Sequence, residues 1–202
     1  MIDSCVIVVR HAERQDTVDN ENGVADSALS AAGIAATPVA LRGMRGVLTE
    51  ALEASGDAAA AENPFAATVD IVTSPFQRTV QTAIALREGL ADMAAQTSPS
   101  RSPTASSGTP PRRHRPRGRI IVDRALCEVF GPQRIKVSAA PPLDVGARLL
   151  EHMDADGGEA AERGQLPQWG EDVPTAQERM AAAFAGYLTR PLPATRPAGA
   201  PP

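Results

Sequence analysis

The chain has 202 residues and a mass of 21.0 kDa, which is enough for one domain with a hydrophobic core. Hydrophobic residues make up 43% of it and aromatic residues only 3%, so each core contact is small. The formal net charge is −4, and no apolar run reaches the length of about 18 residues that a membrane helix needs. We therefore expect neither a membrane protein nor a nucleic-acid-binding protein.

Cysteine usage and the N-terminal residues predict a cytoplasmic location. The two cysteines, Cys5 and Cys127, are too few for a disulfide framework. The first apolar run is short, follows Asp3 and has no basic residue before it, unlike a secretory signal peptide. The histidines and cysteines are scattered, so we expect no metal site and no cofactor.

The first part of the chain predicts a strand, a loop and a long helix. Residues 4–9 are a short apolar run that is typical of a buried parallel strand. Polar residues at 10–28 predict a loop. Residues 29–54 carry apolar side chains at helical spacing, with Ser30 placed to cap the helix. Pro38 is expected to end or kink it.

The middle of the chain predicts a second strand and helix between two loops. Residues 55–68 are rich in Ala, Gly, Asp and Asn and predict a surface loop. Residues 69–73 predict a strand, and residues 76–95 predict a helix. Residues 96–118 are rich in Ser, Pro, Thr and Arg and have almost no large apolar side chain, which predicts a disordered insertion.

The last part predicts a third strand at residues 119–122 and helices at residues 143–152 and 174–189. The Pro/Ala-rich tail, residues 191–202, is not expected to pack. We predict one domain over residues 1–190. The alternation of strands and helices favours an α/β fold with a parallel sheet, in which ligands bind beyond the carboxyl ends of the strands.

The residues that follow the predicted strands suit phosphoryl transfer. Arg10 and His11 follow the first strand, Arg78 lies shortly after the second and Glu128 shortly after the third. Arginine binds phosphate oxygens through two parallel hydrogen bonds. A histidine nitrogen can attack phosphorus, and a carboxylic acid can protonate the leaving oxygen.

Four segments resemble motifs of the histidine phosphatase superfamily, also called phosphoglycerate mutase-like, and they occur in the family order. They are Arg10-His11-Ala12-Glu13, Leu29-Ser30-Ala31-Ala32-Gly33, Ser74-Pro75-Phe76-Gln77-Arg78 followed by Gln81-Thr82-Ala83, and Leu126-Cys127-Glu128. The extended form through Arg14-Gln15-Asp16 is similar to the branch of ecdysteroid-phosphate phosphatases and suppressor-of-T-cell-receptor-signalling phosphatases.

The resemblance implies an α/β three-layer sandwich with a mostly parallel central sheet. It implies that His11 is the phosphorylated nucleophile and that Glu128 is the general acid and then the base that activates water. Arg10 and Arg78 would clamp the phosphoryl group, with Arg14 as a third contact. Arg14 could equally pair with a carboxylate. The implied substrate is a phosphorylated small molecule or a phosphoprotein.

The chain departs from the family pattern in one respect. The family has a second catalytic histidine after a later strand, and neither His114 nor His152 fits that motif. The segment that normally precedes the motif is recognisable at residues 171–179. A C-terminally truncated enzyme or a divergent member would both explain the difference, and we favour truncation.

Three functions follow from these observations. The first is a phosphomonoester hydrolase that works through phosphorylated His11. The second is a catalytically impaired member or fragment that binds phosphorylated ligands. The third is a phosphotransferase of the phosphoglycerate mutase type. The sequence leaves the substrate and the oligomeric state open.

Overall fold

The computed structural model describes residues 6–19, 26–54, 58–62, 69–97, 119–143 and 160–189, together with Gly56 and Pro64. The helices within these residues are α1 (Gln15–Val18), α2 (Ala31–Ala54), α3 (Ala58–Glu62), α4 (Gln77–Thr97), α5 (Pro132–Ile135) and α6 (Val173–Thr189). The strands are β1 (Ile71–Thr73), β2 (Ile120–Asp123) and β3 (Ala160–Arg163), and a 3₁₀ turn, Arg124–Leu126, follows β2. The described part of the chain thus has an α/β architecture.

The three strands form a parallel sheet in the order β1-β2-β3. The central strand, β2, consists of β-branched residues followed by an aspartate, and every residue in it is buried, as is typical of a parallel strand with both faces covered. Ile120 and Val122 are completely buried and pack with Phe76 and Val80 from the α4 region. This cluster fixes where β1 and β2 end and therefore where the residues after them lie.

Helix α2 runs through Pro38, so the predicted end of the helix at that residue is wrong, while the alternative of a kink stays a prediction. Pro38 has no N–H to donate to the carbonyl one turn earlier in the helix. Because Pro38 is exposed, a carbonyl on that side of the helix can bond to water instead. Leu41, one turn later, is buried against Leu86 and Leu90 of α4. This packing stabilises the helix on the far side of the proline and outweighs the tendency of proline to end a helix.

Helix α6 is attached to the sheet through Asp123, the buried last residue of β2. One carboxylate oxygen of Asp123 accepts hydrogen bonds from Arg163 Nε, at 2.9 Å, and from the hydroxyl of Tyr187. The Arg163 guanidinium also lies over the Tyr187 ring, 4.1 Å from its centre. A buried carboxylate needs such partners, and they bring α6 to the carboxyl end of β2.

The prediction of a buried first strand at residues 4–9 is wrong for the described residues 6–9. They belong to no strand, and their side chains are exposed, with Val8 72% accessible. A strand in a parallel sheet needs a neighbour for its backbone groups, and no strand among the described residues pairs with this segment. An apolar sequence is therefore not enough to bury residues 6–9.

Several other elements differ from the predictions or extend them. Strands β1 and β2 and helices α4 and α6 confirm the expected elements, with bounds shifted by one or two residues. Helix α3 forms within the predicted loop 55–68, and its Ala61 is buried. Strand β3 was not predicted, because Ala160–Arg163 lacks apolar alternation. Residues 98–118, 144–152 and 191–202 lie outside the described part of the chain.

No helix in the described ranges has a stretch long and apolar enough to cross a bilayer. The longest of them, α2, has 24 residues and includes charged side chains.

The start of α2 is tied to the segment that carries His11. Ser30 caps the helix, since its Oγ accepts from Gly33 N at 3.0 Å and donates to Glu13 Oε2 at 2.8 Å. Ser30 N donates to Glu13 O at 3.0 Å. A Cβ on Gly33 would come within 2.4 Å of Glu13 O, so the helix can approach this backbone only because residue 33 is glycine. Ser30 is thus the cap that the sequence predicted, and Glu13 positions the loop.

We expect Gly33→Ala to lower the free energy of unfolding by about 1–3 kcal/mol, because the methyl group clashes with backbone that cannot move aside. Gly43→Ala in the same helix is the matched control. A Cβ there meets nothing within 4 Å, and the change should stabilise the helix by up to about 1 kcal/mol. Urea denaturation of both variants measures the difference. Equal effects would contradict the close approach of α2 to Glu13.

Candidate functional site

The five residues singled out by the sequence lie together. The positive charges of Arg78, Arg10 and Arg14 all act on the ring of His11, and Glu128 bonds directly to Arg78. These residues come from three parts of the chain. His11 lies on the loop before α1, Arg78 in the first turn of α4 after β1, and Glu128 just beyond the 3₁₀ turn after β2.

Arg78 is the buried centre of this group. Its side chain is only 3% exposed, and Nη2 donates to Glu128 Oε1 at 2.8 Å. Its guanidinium also lies over the ring of Phe76, 4.3 Å from the ring centre. Arg78 Nε is buried and has no hydrogen-bond partner within the described ranges. A buried guanidinium with an unused donor provides an anion-binding group that is already desolvated.

His11 presents one ring nitrogen to the backbone carbonyl of the next residue and leaves the other free to react. Nδ1 lies 2.7 Å from the carbonyl oxygen of Ala12. Because a carbonyl can only accept, Nδ1 must carry the proton, which leaves the lone pair on Nε2. Burial lowers the pKa of His11, and the charges of Arg78, Arg10 and Arg14 lower it further, against the opposing effect of the Ala12 carbonyl. The neutral, nucleophilic imidazole is favoured.

Arg14 pairs with a carboxylate of its own loop. Its Nε donates to Asp16 Oδ1 at 2.8 Å, and Nη2 contacts the other carboxylate oxygen. Asp16 is buried, and the hydrogen bond from Arg14 holds the pKa of its carboxyl below the ordinary value. Of the two alternatives drawn from the sequence, carboxylate pairing is the one observed. The role of Arg14 as a third phosphate contact stays a prediction, and so does that of Arg10, which is exposed beside His11.

Glu128 is the accessible member of the group, and its neighbour Cys127 is the inaccessible one. The Glu128 side chain is 46% exposed, so a ligand can reach its carboxylate. Cys127 is completely buried, and burial raises the pKa of its thiol to about 12. The thiol is therefore protonated and shielded, which argues against Cys127 as a nucleophile.

Two supporting contacts were not found from the sequence. Gln77 N, in the first turn of α4, donates to Asp26 Oδ1 at 2.6 Å. The backbone amides at a helix N-terminus attract anions, and here the Asp26 carboxylate already binds one of them. Leu29 N donates to Gln81 Oε1 at 2.7 Å, which links the α2 cap to α4. These partners are about 50 residues apart in the chain, and no local pattern indicates them.

No cluster of three or more metal-ligating side chains occurs within the described ranges. The group around Arg78 has one histidine and three guanidinium groups, of which Arg78 is paired with Glu128 and Arg14 with Asp16, and the third positive charge, that of Arg10, suits an anion. The arrangement can bind a phosphate oxygen, present a nucleophilic nitrogen and offer a carboxyl group for proton transfer.

We expect the pKa of His11 to lie below the ordinary value of 6.5 and to rise in Arg78→Met, because one neighbouring positive charge is removed. It should stay below 6.5, since burial remains the largest cause. NMR titration of a variant with His114→Asn and His152→Asn isolates the His11 signal. The folded state should then lose part of its stability as the pH falls below 6.5, where the unfolded chain takes up the proton first.

Arg134→Met is the matched control, because Arg134 is an exposed arginine on α5. It should leave the His11 titration unchanged. A His11 pKa that is the same in Arg78→Met as in the parent would show that the Arg78 guanidinium does not act on the ring.

Comparison with protein-family models, with curated protein sequences and with solved structures gives no match to this chain.

Proposed function

We propose that the protein is a phosphomonoester hydrolase that forms a phosphohistidine intermediate on His11. One observation carries the proposal. The neutral form of His11 is favoured, and the ring lies near the buried guanidinium of Arg78, which is paired with the carboxylate of Glu128. One group supplies the nucleophile, the second binds the transferring phosphoryl group, and Glu128 lies within hydrogen-bond distance of the second. The proposed reaction is cofactor-independent.

In the first step, Arg78 and Arg10 bind the phosphoryl oxygens and the phosphate takes the place of Glu128 at Arg78 Nη2. His11 Nε2 attacks phosphorus, forming the N–P bond as the bond to the ester oxygen breaks. Glu128, released from Arg78, takes the proton of the incoming phosphate monoester monoanion, gives it to the leaving oxygen and becomes a carboxylate again. The Ala12 carbonyl, 2.7 Å from Nδ1, stabilises the positive charge that develops on the imidazole.

In the second step, the Glu128 carboxylate takes a proton from water as the water oxygen attacks phosphorus. The N–P bond breaks, and its electron pair returns to His11 Nε2. Inorganic phosphate leaves with the proton that Glu128 took from water, so His11 is neutral again and the Glu128 carboxylate pairs with Arg78 once more. The arginines bind the charged oxygens through both steps, which is the dominant contribution in phosphoryl transfer.

We also propose that the domain has the three-layer, phosphoglycerate mutase-like arrangement. The parallel order β1-β2-β3, the packing of α4 against β2 and the position of His11 beside residues that follow β1 and β2 support it. The proposed substrates are a phosphorylated small molecule or a phosphoprotein, since the half-exposed Glu128 leaves the group open to a ligand of either size.

A second function is phosphate-ligand binding without turnover. Within the described residues His11 is the only histidine, so no second imidazole is seen to assist the phosphoryl clamp. Arg78 would still bind a phosphorylated ligand, through its unused Nε and through the Nη2 from which the phosphate displaces Glu128. Calorimetric binding of phosphate by a chain that hydrolyses no ester would favour this function.

The test is hydrolysis of p-nitrophenyl phosphate by the full chain and by His11→Asn. Loss of the nucleophile should lower turnover by at least about 10³-fold. Rapid quenching with a radiolabelled ester should trap an acid-labile, base-stable label on the parent protein and none on the variant.

His152→Asn is the matched control, because it removes a histidine outside the motif and should retain turnover. Unchanged turnover in His11→Asn would overturn the mechanism.

A further inference from the structure

Arg179, on α6, is the side chain with the most complete set of contacts near Glu128. Its Nη1 donates to two backbone carbonyls, those of Ala125 at 2.5 Å and Cys127 at 2.9 Å. Its Nε and Nη2 donate to the two carboxylate oxygens of Glu171, at 2.8 and 2.7 Å. The planar guanidinium thus holds the backbone immediately before Glu128 with one edge and a carboxylate with the other.

Glu171 holds the backbone on the other side of Glu128. Its side chain is only 4% exposed, and Oε2 accepts from Phe130 N at 3.3 Å. The Phe130 carbonyl accepts from Gly170 N at 2.9 Å and from Glu171 N at 3.3 Å. The hydrogen bond from Arg179 keeps the pKa of the Glu171 carboxyl below its ordinary value, so the pair stays charged near neutrality.

The segment that carries Glu128 is therefore fixed at both ends by one ion pair. Glu128 itself lies outside regular secondary structure and is half exposed, so once a phosphate displaces it from Arg78 its own contacts do little to fix its position. Proton transfer needs heavy atoms within about 3 Å of each other, and small displacements of a catalytic group cost large factors in rate. Anchoring the backbone on either side of Glu128 meets that requirement.

We propose that Arg179 and Glu171 are positioning residues that hold Glu128 where it can protonate the leaving oxygen. This inference rests on the proposed hydrolase function. In the step concerned, the bond between phosphorus and the ester oxygen breaks while the His11–phosphorus bond forms, and the Glu128 proton moves to the departing oxygen. A displaced Glu128 leaves that oxygen to depart as an anion.

The experiment compares two substrates with different needs for a proton. p-Nitrophenyl phosphate releases a stable phenolate, whereas glycerol phosphate releases an alkoxide that must be protonated. Arg179→Lys keeps the charge but loses the planar fork, and Glu171→Gln keeps the shape but loses the charge. Each should lower kcat on glycerol phosphate at least about tenfold more than on p-nitrophenyl phosphate, a part of the 10²–10⁴-fold effect of a general acid.

Glu128→Gln should show the same substrate dependence more strongly, and adding Arg179→Lys to it should not change the substrate ratio further. Arg124→Lys is the matched control, because Arg124, on the neighbouring 3₁₀ turn, forms an exposed ion pair with Glu162 of β3. It should leave the ratio as in the parent.

The outcomes separate the two proposals. Equal loss on both substrates, with the parent active, overturns the positioning role and leaves the hydrolase function standing. A parent that hydrolyses neither ester overturns the hydrolase function and this inference with it. If Arg179→Lys does not fold, as judged by circular dichroism, the ratio measured for Glu171→Gln decides.

Discussion

The ion pair between Arg78 and Glu128 is the interaction on which the arrangement of the candidate site depends. A guanidinium that is 3% exposed cannot remain without a negative partner, because the cost of desolvating an unpaired charge is several kcal/mol. Arg78 follows β1 and Glu128 follows β2, so the pair joins the carboxyl ends of two adjacent parallel strands. The same buried charge disfavours protonation of His11 and so links the packing of the sheet to the reactivity of the imidazole.

The segments around this pair are held by backbone contacts from distant parts of the chain. Ser30 and Gly33 place the loop of His11 against the start of α2, and Arg179 places the segment of Glu128 against α6. In both cases a polar side chain satisfies backbone groups that no regular secondary structure pairs. Irregular segments can therefore have fixed positions while their reactive side chains stay accessible.

The sequence predicts the elements whose local pattern agrees with their packing. The β-branched runs of β1 and β2 and the helical spacing of α4 belong to this class, and the Ser30 cap follows from local chemistry. Residues 6–9 have an equally clear strand pattern, but a strand also needs a neighbour, which the pattern does not supply. Strand β3 shows the opposite case. Its sequence has no strand pattern, but it forms a strand because it pairs with β2.

The candidate site divides in the same way. Motif spacing placed His11, Arg78 and Glu128 at strand ends, and the structure brings them together. The partner of Arg14 could not be chosen from the sequence, because a guanidinium suits a carboxylate and a phosphate equally well. The bond from Gln77 to Asp26 depends on how distant segments meet, which only the folded chain determines.

Trp169 packs edge-on against Phe130, with the ring centres 5.0 Å apart and the ring planes at 85°. It is the only tryptophan in the chain, and it lies directly before the residues that bond to the Phe130 backbone. Phe130 in turn lies two residues beyond Glu128. The tryptophan fluorescence of the protein therefore originates from a single indole next to the segment of the proposed general acid. The emission of Trp169 therefore reports, without an added label, whether the Glu128 segment is packed against the residues before α6.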